Sequence, residues 1–267
     1  MRFLAVNGLS LHVAEIAAGV GSGPEAPTAV LVHGMAGDSM ASWYLTLAHP
    51  LAERGMRVLL HDLRGHGRSD VPTDGYTLDD FVNDLEGLLA GWGVTGPVHL
   101  FGNSFGGTVA FGYALRHPDR VAAITAIDSA PPTAAWFDRM GRRLGRAATL
   151  TATGRHPVSA RRLRDVQRLL AETTIATELP ASRLPDPAAF AAVTCPVLCL
   201  YGGDSPMLEL AGPTERLLPQ TRTVVLENAG HSMLVDRAAD VRGHVVAWLD
   251  DLTTTALIGG RERRTHG

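Results

Sequence analysis

A serine stands between two glycines in Gly102-Asn103-Ser104-Phe105-Gly106-Gly107. An apolar β-like run, 97–101, leads into it, and a helix-like run, 108–117, leads out. A serine at such a strand-to-helix junction sits on a tight, strained turn that exposes its hydroxyl near free backbone N–H groups. That is the placement a nucleophile attacking a carbonyl needs. The spacing fits neither G-x-G-x-x-G nor G-x-x-x-x-G-K-[ST], so the loop does not read as a phosphate cradle. A serine hydroxyl is weak alone and needs a base, which in turn needs an orienting acid. His231, in Asn228-Ala229-Gly230-His231-Ser232-Met233, is the candidate base. Asp204, in Gly202-Gly203-Asp204-Ser205, is the first candidate acid, with Asp128 the alternative.

Elements at the right places must bring these residues together. Two apolar runs around Asn7-Gly8 predict a hairpin over residues 2–16. Continuous apolar runs at 28–32, 57–61, 97–101, 121–127 and 196–201, then 223–226, read as strands buried on both faces. Helical patterns fall near 42–54, from 78 to about 91, after Ser104, and over 235–252. Alternating strands and helices predict a mostly parallel sheet flanked by helices, with ligand-binding loops along one edge. Residues 131–190 read as helices only. The organisation expected is thus a core of 1–130 and 191–255, a small helical cap of 131–190, and a disordered tail of 256–267.

Composition narrows the classes. The 267 residues are 45% hydrophobic and 19% charged, as in a soluble globular chain. The net charge of −3 gives no global reason to expect nucleic acid. No apolar run approaches the roughly 20 residues that span a bilayer. The first residues lack the pattern of a signal peptide, so a cytoplasmic location is expected. Cys195 and Cys199 lie about 13 Å apart if both are on one strand, beyond the roughly 7 Å that a disulfide tolerates. Free, buried thiols are expected. All 24 basic residues are arginine, which reads as codon bias in a high-GC genome.

Five segments in order, each at a predicted strand end, resemble the α/β-hydrolase superfamily. They are His33-Gly34, Asp62-Leu63-Arg64-Gly65-His66-Gly67-Arg68-Ser69, Gly102-Asn103-Ser104-Phe105-Gly106-Gly107, Gly203-Asp204 and Gly230-His231. The resemblance covers about residues 1–252. It implies an eight-stranded sheet with Ser104 as nucleophile, His231 as general base and acid, and Asp204 as orienting acid. It also implies an oxyanion hole from the backbone N–H groups of Met35 and Phe105, and no cofactor or metal. Epoxide hydrolases and haloalkane dehalogenases of this fold carry aspartate at the position of Ser104, which argues against those chemistries. His33 is expected to brace the oxyanion loop, and Asp62 and Arg64 to hold a turn together.

The activity expected is hydrolysis of an ester, thioester or lactone through an acyl-enzyme. The alternatives are carbon–carbon cleavage of vinylogous diketones, acyl transfer as in cyclising thioesterases, and a ligand receptor on the same fold. Gly34, Trp136 and Phe137 are the candidate substrate contacts. The insertion carries Arg139, Arg142, Arg143, Arg146, Arg155, Arg161, Arg162 and Arg164, with no acid between Asp138 and Asp165. These are either a solvated face or a dock for an acyl carrier protein or coenzyme A thioester.

Overall fold

The computed structural model describes residues 1–21, 23, 26–152 and 160–264, with no side chain described for 147–152, 160–162 and 255–264. Eight strands form one sheet: β1 (Arg2–Val6), β2 (Leu9–Ile16), β3 (Thr28–Val32), β4 (Arg57–His61), β5 (Val98–Asn103), β6 (Val121–Ile127), β7 (Val197–Gly202) and β8 (Thr221–Leu226). Their order is β1-β2-β4-β3-β5-β6-β7-β8. The hairpin β1–β2 and its junction with β4 are antiparallel. The remaining pairings are parallel.

Both faces of β3, β4, β5, β6 and β7 are buried, so their alternate residues enter two different cores, while the edge strand β8 is partly exposed. Val30, Val32, Leu100, Ile124 and Val197 face one. Leu31, Leu60, Phe101, Ile127 and Leu198 face the other. Helices α3 (Leu78–Gly91) and α4 (Phe105–Arg116) cover the first side. A capping box starts α3: the Thr77 side chain and the Asp80 carboxylate each take an N–H of the other's backbone.

The other face is covered by α1 (Ala41–Trp43), α2 (His49–Glu53) and the long C-terminal helix. Between α1 and α2 the chain widens into a π-type turn over Tyr44–Ala48. Pro50, which lacks an N–H and crowds the preceding turn, follows directly and accounts for the break.

The insertion between β6 and β7 holds α5 (Ala134–Ala152), α6 (Ala160–Glu172) and α7 (Ile175–Glu178). Ile175 and Leu179 are fully buried against the core. Glu178 accepts the Tyr76 N–H at 2.6 Å and Ser182 Oγ accepts that of Leu78 at 2.9 Å. These bonds tie the cap to the start of α3. After β7 come α8 (Ala211–Leu217), α9 (Met233–Asp236) and α10 (Ala238–Arg264). The last helix runs on past residue 255, where the sequence pattern predicts loss of order; only 265–267 of that tail lie outside the described residues. Among the described residues no helix is long and apolar enough to cross a membrane.

Candidate active site

The turn at Ser104 is strained: its φ is +51° and its ψ −120°, outside the usual regions for a residue with a side chain. Its neighbours show why only glycine fits around it. A Cβ at Gly106 would lie 2.1 Å from the Val32 carbonyl oxygen, and one at Gly102 would lie 2.3 Å from Gly107. The elbow is pressed against the end of β3 on one side and against its own helix on the other. Ser104 is left half-buried at the N-terminus of α4, where the first N–H groups of the helix lack intrahelical partners.

His231 arrives on the loop after β8. Its Nε2 lies 3.0 Å from Ser104 Oγ. Its Nδ1 lies 2.5 Å from Asp128 Oδ2. The carboxylate can only accept, so Nδ1 carries the proton and Nε2 presents a lone pair to the serine. Asp128 is fully buried, and its own φ is +46°. It also accepts the Gly202 N–H at 3.0 Å and the Ser205 hydroxyl at 2.5 Å. Three donors therefore compensate one buried carboxylate.

The acid on His231 is thus Asp128, not Asp204. Asp204 is exposed, and its backbone N–H bonds to the Ala229 carbonyl. The geometric reason is strand order. β6 lies directly beside β5, which carries Ser104, whereas β7 is one strand further out. The loop after β7 still contributes, but through Ser205, which holds Asp128. Ser205 went unrecognised in the sequence; its position in Gly203-Asp204-Ser205-Pro206 at a strand end is the signal that pointed to its neighbour instead.

The segment after β3 closes the other side. A Cβ on Gly34 would fall 3.3 Å from that of Ser104. Gly34, Met35 and Phe105 line one cavity of about 450 Å³ with Ser104 and His231. The brace predicted for His33 is present: its Nε2 accepts the Leu63 N–H at 2.9 Å, which leaves Nδ1–H to donate to the Gly34 carbonyl at 2.6 Å. His66 Nε2 accepts the Ala36 N–H at 3.2 Å. Asp38 Oδ2 takes the Gly34 N–H at 2.9 Å. Asp62 receives His12 Nδ1 at 2.8 Å and the N–H groups of Met40 and Arg68. Two buried side chains, Arg64 and Asp84, form a two-pronged ion pair at 2.6 Å.

The cap supplies the cavity's apolar wall. Trp136 lines it and donates from Nε1 to Thr108 Oγ1 at 2.6 Å. Phe137 does not: it lies in the apolar core, because neighbouring helix residues point about 100° apart. Met140, Arg143 and Leu144 join Trp136 on the cavity side. Arg139 instead reaches the Pro206 carbonyl at 2.8 Å and pairs with Glu209. Arg155, and the side chains of Arg161 and Arg162, lie outside the described residues. Both cysteines are free, and burial raises the pKa of Cys195 to about 11 and of Cys199 to about 12.

Residues 27–163 match the family described as the alpha/beta hydrolase fold, and the chain belongs to it. An epoxide hydrolase from Caballeronia sordidicola is 37% identical over 123 residues, 45% of this chain. The chain spans about a third of that relative's length (34%). An sn-1-specific diacylglycerol lipase from Mus musculus is 28% identical over 260 residues, 84% of this chain and 81% of that protein. Among solved structures, a thermophilic esterase from Thermogutta terrifontis superposes with a TM-score of 0.73 at 25% identity, over 93% of this chain and 97% of that one.

Proposed function

We propose that this protein is a serine hydrolase that cleaves an ester, thioester or lactone through an acyl-enzyme. The observation that carries the reading is the unbroken chain from Ser104 Oγ to His231 Nε2 and from His231 Nδ1 to buried Asp128. Ser104 Oγ attacks the carbonyl carbon as its proton passes to His231 Nε2. Asp128 holds the tautomer that can accept that proton and steadies the imidazolium that results. The backbone N–H groups of Met35 and Phe105 receive the oxyanion, each such donor being worth about 10²–10³ in turnover. The leaving group departs with the proton from Nε2. A water then loses its proton to the same nitrogen, adds to the acyl carbon and releases the acid and Ser104.

Apart from the water that deacylates Ser104, every catalytic group named in this reading belongs to the chain. Serine at position 104 supports this reading over epoxide opening, for which the fold is expected to carry aspartate there. The named relatives include an esterase and a lipase as well as an epoxide hydrolase, and so support hydrolysis more broadly than they support one substrate.

Rapid mixing with p-nitrophenyl valerate tests the proposal. A stoichiometric burst in the wild type, absent in Ser104→Ala, is the expected result. Steady turnover that survives Ser104→Ala would overturn it. Stoichiometric labelling of Ser104 by a fluorophosphonate with no turnover of any ester would point to a receptor instead.

A further inference from the structure

Helix α5 presents Trp136, Met140, Arg143 and Leu144 to the cavity, at positions i, i+4, i+7 and i+8. Arg146 lies further along the same lining; of the two cations, Arg143 is the one at the reacting atoms. A guanidinium nitrogen of Arg143 lies 3.4 Å from His231 Nε2, the same nitrogen that faces Ser104 Oγ at 3.0 Å. With Nδ1–H turned to Asp128, Nε2 has a single lone pair. The Arg143 N–H and the Ser104 O–H compete for it. The guanidinium also opposes the positive charge that His231 must take up when Ser104 is acylated.

Asp38 and Asp236 share the cavity lining, but among the described residues neither is ion-paired with this cation. Arg139, one turn earlier, is held by Glu209 and the Pro206 carbonyl. Among the described residues Arg143 forms no ion pair with a carboxylate. Asp38, in the same lining, is taken up by the N–H groups of Gly34 and Ser39 and by the Asn103 amide. Burial lowers the Arg143 pKa from its ordinary value, partly opposed by the charge of Asp128. Arg143 as a whole is still exposed, so it stands at the mouth of the cavity, and a cation there is a site for an anion.

We propose that Arg143 selects substrates bearing a carboxylate a few atoms from the scissile carbonyl. On binding, that carboxylate draws the guanidinium away from His231 Nε2 and leaves the lone pair to Ser104. The proposal rests on the serine-hydrolase reading and adds its substrate class and a gate. It places the anion at the mouth of the cavity, beside the reacting carbonyl, rather than at the far end of a carrier arm.

The test compares p-nitrophenyl hemiglutarate with p-nitrophenyl valerate, acyl chains of equal length that end in a carboxylate or a methyl group. Wild type is expected to favour the hemiglutarate by about 10- to 100-fold in kcat/KM, the range for one charge-assisted hydrogen bond. Arg143→Gln is expected to remove that preference while raising kcat on the valerate, and Arg143→Lys to restore part of it. Equal handling of both esters by wild type overturns the proposal without any variant. So does an Arg143→Gln that leaves the preference intact or slows both esters by one factor. Loss of preference with unchanged valerate kcat keeps the recognition and overturns the gate. Loss of turnover of both esters in Ser104→Ala checks the underlying reading separately, so the two can fail independently.

Discussion

At the scale of single residues, two aspartates separated by one strand exchange the roles their sequence positions suggest. Asp128 bonds His231 from a fully buried position, whereas Asp204 faces solvent. Asp128→Asn is therefore expected to lower kcat by about 10⁴, the scale seen when an orienting carboxylate is replaced by an amide and the wrong tautomer is favoured. Asp204→Asn is expected to stay within about threefold of wild type, as a surface change does. Steady-state kinetics on one ester measures both, and the reverse ranking would return the role to Asp204. Asp128 could be seen in the sequence as a carboxylate at a strand end. What could not be seen was which of two such ends lies next to β5, because strand order is not a local property.

At the scale of elements, the loop after β4 is built around ions that the apolar pattern does not reveal. Arg64 and Asp84 are both nearly sealed from solvent, and Arg64 also donates to the Gly75 carbonyl at 2.5 Å. Their pair ties this loop to α3. Removing one partner leaves a buried charge without compensation, which typically costs about 3–5 kcal/mol. Arg64→Met is thus expected to lower the unfolding free energy by that amount, read as a lower urea midpoint with an unchanged slope, while Ser104→Ala leaves the midpoint near wild type. A midpoint unmoved in Arg64→Met would show that the pair contributes little. The same loop brings His66 to the Ala36 N–H, so its loosening should also slow turnover.

At the scale of the whole molecule, burial sets the response to acid. His61 has its pKa pushed down to about 3, by desolvation first and then by the nearby His33; His66 is lowered to about 4 by the same causes. Both are neutral in the fold at pH 5, while an unfolded chain, with ordinary values near 6.5, binds protons there. The unfolded state therefore holds more protons, and stability falls as pH drops. This contribution is complete above about pH 6.5 and is lost as pH falls toward 4, at up to about 1.4 kcal/mol per pH unit for each histidine. Urea midpoints at pH 7 and pH 5 should differ accordingly, and His61→Leu should remove roughly half of the difference. Equal midpoints would mean that neither histidine is held neutral.

The sequence by itself determined the local features. Apolar runs of strand length placed the inner parallel strands, because strands buried on both faces cannot tolerate polar interruption, and the Asn7-Gly8 turn placed the hairpin of β1 and β2. Glycines at 102 and 106 announced the elbow at Ser104, because only a bare backbone survives an approach of 2.1 Å to the Val32 carbonyl. Gly230-His231 after the last strand announced the base. The tertiary structure alone decided what converges on them. It put Asp128 rather than Asp204 beside His231, turned Phe137 into the core while Trp136 faced the cavity, and swung Arg143 over the histidine. Each outcome depends on the order of strands or the rotation of a helix about its axis. Those are set by how surfaces far apart in the chain pack together, and no short window of residues records them.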